Sequence, residues 1–380
     1  MATEHRAISL SFVFPCLNEE KTLGGCIQEL TSHLQNTGID YEIVVADNGS
    51  QDCSAQIATD LGARVVSVPK RGYGEALKAG IQAARGEHVA FADADSTYVL
   101  ADMASLYQRA VKTGADMAIA SRLKGEIEPG AMPLLHRYLG TPVLTTLINL
   151  IFRGSLSDCN SGFRCLRKVS YAQWNIRAGG MEFASELLIK ALKARALIVE
   201  VPSGLRKPRV ERIAHLRTWR DGMRHLLFIF SECPRLFEKS GLLLLLGSSI
   251  VQLAAAILGP TKIGSFNIFD LHTQALLLLA GLTGMSIYLL GCYLSLHQNQ
   301  KPLALTRYLV ELDEASLFFS LLAVFGGNLL VFGYLVVYWI MHDFSDIHLI
   351  RSLLTYVHLL GISGQLAIGL LGIHIFKKSA

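Results

Sequence analysis

Residues 91–95 read Phe91-Ala92-Asp93-Ala94-Asp95 and follow His88-Val89-Ala90, an apolar run with the length of a buried strand. The two carboxylates therefore leave a sheet at its carboxyl edge, where open α/β sheets place their ligands. Two aspartates one residue apart in such a turn can share a hard divalent cation, and Mg²⁺ or Mn²⁺ prefers carboxylate oxygen. An ion held there would in turn hold a diphosphate. Asp-x-Asp is also what a solvated turn looks like, so the flanking sequence has to decide.

Upstream of this turn, short apolar runs alternate with helix-like polar stretches. Ile8 to Phe14 reads as a strand, followed by Pro15-Cys16-Leu17-Asn18-Glu19-Glu20, in which Asn18 is placed to cap a helix running to about Leu34. Tyr41 to Ala46 is a second strand ending in Asp47-Asn48-Gly49-Ser50-Gln51-Asp52, a turn whose carboxylates could face a base or ribose. A strand at Arg64 to Val68 and a helix at about Glu75 to Arg85 lead into the aspartate strand. Strand alternating with helix predicts a parallel, right-handed, doubly wound sheet. A dinucleotide fold would need Gly-x-Gly-x-x-Gly after the first strand, where Pro15-Cys16-Leu17-Asn18-Glu19 stands instead. No Gly-Lys-Ser/Thr of a P-loop is present either.

Half of the 380 residues are apolar, unevenly spread. Up to about residue 205 the pattern is that of a soluble domain; from Gly241 onward charges are sparse and apolar runs long. The net charge of +4 conceals a basic segment, Arg206 to Arg224, in which seven Lys/Arg face only Glu211 and Asp221. Lying directly before the first hydrophobic span, it suits an anionic lipid surface or a phosphate. Nucleic acid is disfavoured, since no binding motif or aromatic platform accompanies these cations. Seven cysteines without a Cys-x-x-Cys pair read as reduced and mostly structural. The start, Met1 to Arg6, carries a glutamate and leads into a strand ending at Pro15, unlike a secretory signal.

Taken together, Pro15 with Asn18-Glu19, Asp47-Asn48-Gly49-Ser50-Gln51-Asp52, Gly72-Tyr73-Gly74, Ala79-Gly80, Asp93-Ala94-Asp95, Ser121-Arg122, Asn160-Ser161-Gly162-Phe163-Arg164 and Val201-Pro202 resemble family 2 glycosyltransferases of GT-A fold. The likeness is to the polyprenyl-phosphate sugar transferases related to dolichyl-phosphate mannose synthase, over about residues 8 to 225. It implies a nucleotide held by Pro15, Asn18, Glu19, Asp47, Asp52 and Gly72, with Asp93 and Asp95 on the metal and diphosphate. Relatives of this type often carry a glutamine two residues after the second aspartate as a further metal ligand; Thr97 stands there, a weaker neutral ligand. Where many have Ser-Lys-Leu near the basic segment, this chain has Ala214-His215-Leu216. It looks closer to a bacterial branch with a multi-span tail that also shares Gly179-Gly180-Met181-Glu182-Phe183-Ala184-Ser185-Glu186. The acceptor is expected to meet Arg122, Ser161, Arg164, Glu182, Arg206 and Arg209, with Arg122 and Arg209 gripping its phosphate.

Between Ala131 and Arg153, Leu135, Leu139, Val143, Leu147 and Ile151 recur at helical spacing, which fits a core-facing helix or one lying on the bilayer. Glu182 and Glu186 share a helix face, as a structural pair with basic neighbours or as an acceptor-site lining. Four uncharged spans follow, at about 241–258, 273–296, 317–341 and 353–376. The shortest, 18 residues, rises roughly 27 Å, near the hydrocarbon thickness. Asn328, His358, Gln365 and His374 lie inside them, as helix-to-helix hydrogen-bonding groups or along a lipid path.

The expected protein is therefore a GT-A transferase domain (1–205), a basic juxtamembrane segment (206–240) and an all-α transmembrane domain of four helices (241–380). The positive-inside rule puts both termini and the transferase domain in the cytosol, at a bacterial-type inner membrane. Its reaction would be inverting, metal-dependent transfer of a sugar from a nucleotide sugar to a polyprenyl phosphate. Two rivals remain: a processive polysaccharide synthase, whose Gln-x-x-Arg-Trp motif is absent, and an inactive lipid-binding or flipping protein, against which Asp93 and Asp95 argue. Expected partners are the nucleotide sugar, the lipid and the membrane, without nucleic acid; a homo-oligomer is left open.

Overall fold

The computed structural model describes residues 8–208, 218–263, 266–342 and 347–379. The chain divides into two units, Met1–Ile229 and Phe230–Ala380.

In the first unit, β1 (Leu10–Cys16), α1 (Leu23–Leu34), β2 (Tyr41–Asp47), α2 (Ser54–Asp60), β3 (Arg64–Ser67), α3 (Tyr73–Ala83), β4 (His88–Phe91), α4 (Met103–Thr113) and β5 (Met117–Ser121) alternate. Then come α5 (Thr141–Phe152), β6 (Arg164–Arg167), α6 (Lys168–Gln173), α7 (Phe183–Lys193), β7 (Ile198–Pro202) and α8 (Thr218–Ser231). The seven strands form one sheet in the order β3-β2-β1-β4-β6-β5-β7. All neighbours are parallel except β6, which runs antiparallel to both β4 and β5. The sheet is thus mixed and mostly parallel, as expected of a GT-A fold, with β6 as its one reversed strand.

Strand β1 shows why the sheet is buried on both faces. Leu10, Phe12 and Phe14 point to a core shared with α1, α2 and α4, whereas Val13 points to the opposite core with α3, α5 and α7. That alternation is the period-two geometry of a strand. Phe12 and Phe14 are fully buried, so truncating either to alanine costs about 3–5 kcal/mol. Because β1 leads left to β2 and β3 while β4 lies to its right, the strand order reverses between β1 and β4. The crevice at such a reversal, outside the carboxyl ends of the strands, is where this architecture binds ligands.

The stripe on residues 135–151 divides. Leu147 and Ile151 pack against the second core, but Leu134, Leu135, Tyr138, Leu139 and Val143 are exposed, across a π-helical turn, His136–Gly140, that joins α5 at Thr141.

The second unit contains α9 (Pro234–Leu258), the hairpin strands β8 (Thr261–Ile263) and β9 (Phe266–Ile268), α10 (Leu271–His297), α11 (Ala304–Glu311), α12 (Glu314–Met341) and α13 (Ile347–Ser379). Among the described residues, four helices are long and apolar enough to cross a membrane: Pro234–Leu258, Leu271–His297, Glu314–Met341 and Leu349–Ile375. Helices α9 and α10 pack with backbones nearly touching: a Cβ at Gly284 would lie 2.6 Å from Leu245 N. Small residues at such crossings let dispersion and close packing hold helices together where lipid tails remove the hydrophobic drive. Inside the bundle, Ser249 Oγ and His358 Nε2 are 3.0 Å apart, and Asn328 Nδ2 donates to Ser363 Oγ at 3.4 Å.

Candidate active site

The loops after β1 and β2 are stitched into one platform. Asn18 does not cap α1, which begins at Leu23; it sits at φ 57°, and its Oδ1 accepts from Gln51 N–H at 2.8 Å. In return Asn18 N–H donates to Ser50 Oγ at 3.0 Å, and Glu19 N–H to Ser54 Oγ at 2.9 Å. Asp52 Oδ2 accepts from Glu20 N–H at 3.1 Å while its Oδ1 accepts from the N–H and Oγ of Ser54, the first residue of α2, so this carboxylate closes the platform against that helix. Its pKa is lowered because these donors outweigh burial. Asp47 Oδ1 accepts from Ser50 N–H at 3.1 Å, and Pro15 lies opposite Ala46 in the β1–β2 register. The first two sequence motifs therefore form a single surface.

Asn48 extends that surface. Its amide donates to Val68 O and Lys70 O, and its Oδ1 accepts from Gly72 N–H at 2.7 Å. Gly72 has φ 144°, and a Cβ there would lie 2.2 Å from Gly179 O. Only glycine fits, and the Gly179-Gly180 pair is the counterpart that presses against the start of α3.

The aspartate turn is held from three sides. Asp95 Oδ1 accepts from Thr97 N–H at 3.1 Å and from Thr97 Oγ at 2.6 Å. Thr97, expected as a metal ligand, thus donates its proton to Asp95 and orients it. The Tyr73 hydroxyl hydrogen-bonds Asp93; burial first, then the Asp93 charge, push the Tyr73 pKa well above its usual 10. Gly162 lies against the same carboxylate, since a Cβ there would be 3.1 Å from Asp93 Oδ2 and 3.0 Å from the Tyr98 hydroxyl. That hydroxyl accepts from Gly162 N–H at 2.6 Å, and burial raises the Tyr98 pKa to about 12. Tyr73 and Tyr98 carried no signal in the sequence beyond their place in or near a motif.

Two half-buried carboxylates fit a divalent ion that completes its shell with substrate phosphate oxygens and water, the usual manner of Mg²⁺. Among the described residues no group of three His, Cys, Asp or Glu side chains could hold an ion alone.

Arg122 makes a two-pronged pair with Asp158: Nε to Oδ2 at 2.7 Å and Nη2 to Oδ1 at 2.8 Å. Asp158 is fully buried and also accepts from Arg122 N–H and Asn160 N–H. Burial opposes both charges, but Tyr98 and Asp158 together raise the Arg122 pKa, and Arg122 lowers that of Asp158. Behind them Glu200 accepts from Ser157 N–H at 2.8 Å and pairs with Lys124. The positioning carboxylate Asp158 was not anticipated.

The other expected acceptor residues are engaged differently. Ser161 is buried and donates to Ala120 O at 2.6 Å. Arg164 is fully buried and donates at 2.9 Å to the carbonyls of Ser161, Ala184 and Cys159, so each of its three nitrogens is engaged by the protein's own backbone. Burial lowers its pKa. Neither presents itself to an acceptor. Arg206 pairs with Glu29 at 2.8 Å, and its N–H donates to Thr97 O at 2.7 Å, bracing the aspartate turn from behind. Glu182 is half-buried just before α7. Glu186 took the structural role: it is buried, accepts from Arg177 N–H and Ala178 N–H, and pairs with Lys190. Arg209 and the Ala214-His215-Leu216 stretch lie outside the described residues. All seven cysteines are free, and six are buried.

Residues 11–174 match the family described as glycosyl transferase family 2. The chain is 35% identical over 290 residues to the low-salt glycan biosynthesis hexosyltransferase Agl6 of Haloferax volcanii, covering 76% of this chain and 68% of that protein. It is 27% identical over 202 residues to a dolichyl-phosphate hexose transferase of the same organism, covering 53% of this chain and 83% of that one. Against the glucosyl-3-phosphoglycerate synthase of Mycobacterium tuberculosis solved with Mn²⁺ and UDP-glucose, identity is 25% and the TM-score 0.47, over 59% of this chain and 79% of that one. The chain belongs to glycosyl transferase family 2 and is a glycosyltransferase.

Proposed function

We infer that this glycosyltransferase moves a sugar from a nucleotide sugar onto a polyprenyl phosphate at the cytosolic membrane face, with a divalent ion on Asp93 and Asp95. The observation that carries this reading is the aspartate turn, set at the strand-order reversal beside the platform of residues 15–20 and 47–54. The relative named as a dolichyl-phosphate hexose transferase supports a lipid acceptor, and the four apolar helices supply the membrane.

The chemistry asks for charge management rather than a strong base. A lipid phosphate is already ionised near neutral pH, so the protein has to align it with the anomeric carbon and stabilise the departing nucleoside diphosphate. A bound Mg²⁺ or Mn²⁺ would supply Lewis-acid stabilisation of that leaving group. Asp93 and Asp95 would hold the ion, Tyr73 and Thr97 keep those carboxylates aimed, and the platform seats the nucleoside. Arg122, held charged by Asp158, would meet the acceptor phosphate, with Arg209 as its proposed partner. Inversion at the anomeric carbon follows from a single in-line displacement.

The apolar residues exposed around His136–Gly140 support contact of this helix with the bilayer. Lys/Arg also favour a cytosolic placement of both termini: Lys301, Arg307, Lys377 and Lys378 lie toward one end of the spans, against Lys262 and Arg351 toward the other. The test is Asp95→Ala in the full-length protein: transfer should fall to background while nucleoside binding and folding persist. Full transfer by this variant in chelator-treated buffer refutes the metal role.

A further inference from the structure

At the end of the helical unit where α9 begins and α10 and α13 finish, a cleft of about 500 Å³ opens between the 298–303 loop, α11 and the last turn of α13. Its volume is that of a typical ligand cleft. Among the described residues, Lys301, Arg307 and Lys377 line it against the one carboxylate of Glu311, with Leu296, Pro302 and Val310 giving apolar wall. We propose that this cleft binds the phosphate headgroup of an anionic membrane lipid.

The cleft is built rather than incidental. Glu238, fully buried on α9, accepts from Ser295 Oγ at 2.6 Å and from Leu303 N–H at 2.7 Å, tying the last turn of α10 to the far end of the loop. Arg235 Nε donates to Lys301 O at 2.9 Å, holding the middle of the loop from the same helix. Tyr288 and Thr306 hydroxyls, 3.1 Å apart, fasten α11 to α10, and Lys377 Nζ donates to Val310 O at 3.2 Å, closing the third wall. Three cations drawn from separate segments are thereby presented around one space that also has apolar wall. Lys377 keeps two further ammonium protons for an anion.

That mixture matches an amphiphile with a phosphate. Arginine offers a fork of donors to phosphate oxygens, lysine a point charge, and Leu296 and Val310 offer contact to the first carbons of the lipid. A lipid held at the end of membrane spans leaves its tails in the hydrocarbon, so occupancy needs no further apolar pocket. A free phosphate offers the same oxygens without using the apolar wall. The proposal concerns the helical unit alone and does not depend on the sugar-transfer reading.

The test uses the full-length protein in non-ionic detergent, with bound lipid counted by native mass spectrometry. Phosphatidylglycerol, phosphatidylcholine and inorganic phosphate are titrated separately, and inorganic phosphate is then added as a competitor. The expected result is one retained phosphatidylglycerol in preference to phosphatidylcholine, undisplaced by millimolar phosphate. Arg307→Gln and Lys301→Gln should each weaken retention about fivefold, the worth of one cation near an anionic headgroup. Glu311→Gln should strengthen it by a similar factor, a gain that misfolding cannot produce. Equal retention of both lipids, or retention indifferent to all three substitutions, overturns the proposal. Displacement by inorganic phosphate with no lipid retained would assign the cleft to free phosphate and equally overturn it.

Discussion

Replacing Asp158 by asparagine takes away the charge that holds Arg122, and the structure sets the size of the effect. Asp158 is fully buried and accepts four hydrogen bonds, from Arg122 N–H at 3.2 Å, Nε at 2.7 Å and Nη2 at 2.8 Å and from Asn160 N–H at 3.1 Å. Removing one partner of a buried ion pair costs about 3–5 kcal/mol because the other charge stays behind uncompensated. The Arg122 side chain retains 13% exposure, and the asparagine carbonyl still accepts, so about 3 kcal/mol is expected. Trp174, buried in the same unit, reports its unfolding by fluorescence once Trp219→Phe and Trp339→Phe remove the other two indoles. The informative companion is Arg122→Met with Asp158→Leu. Exchanging a whole buried pair for apolar side chains of similar volume is often near neutral. The double variant should recover most of the lost stability yet remain unable to transfer sugar, because the cation proposed to meet the acceptor phosphate is gone. A double variant that is stable and transfers at the unmodified rate would refute a functional Arg122, leaving the pair purely structural.

Acid should act through the same carboxylate. Its folded pKa is lowered, so its stabilising contribution is complete above the unfolded value of about 3.9 and disappears as pH falls through the folded value; the stability gap between the unmodified protein and Asp158→Asn should be constant near neutrality and shrink below about pH 4. Gly72→Ala should cost about 3 kcal/mol or more, since alanine disfavours φ 144° and its methyl meets Gly179 O; a melting temperature unchanged by it would contradict the close approach of α3 to Gly179. Asp47→Asn should weaken nucleotide binding measured by calorimetry, whereas an unchanged affinity would confine Asp47 to its bond with Ser50.

The strands and flanking helices were legible because apolar runs of strand length alternate with helical periodicity, and β1, β2, β4 and α1 lie within two or three residues of where the pattern puts them, apart from the start of α1. That start misled because Asn18 has the chemistry of a cap, yet its side chain reaches Gln51, 33 residues away, and no local pattern reports that partner. Strand β6, Arg164-Cys165-Leu166-Arg167, is too short and too charged at its ends to announce itself, so its reversed direction went unread. Arg164 looks like a ligand-facing cation in sequence, and only the three carbonyls around it make its burial intelligible. Asp158 was invisible for the converse reason: it stands in an unpatterned stretch, 36 residues from the arginine it holds. The cations of the cleft at the end of α10 are separated by up to 76 residues and meet only through the packing of three helices.

Sugar transfer to lipid is most directly tested by incubating membranes that contain the protein with a panel of radiolabelled nucleotide sugars and a polyprenyl phosphate, then following label into the organic phase. The account predicts that one donor labels the lipid in the presence of Mg²⁺ or Mn²⁺, that chelation stops it, and that Asp95→Ala membranes give no label. Label appearing in a polymer that stays out of the organic phase, or lipid labelling that persists in the Asp95 variant, would contradict it.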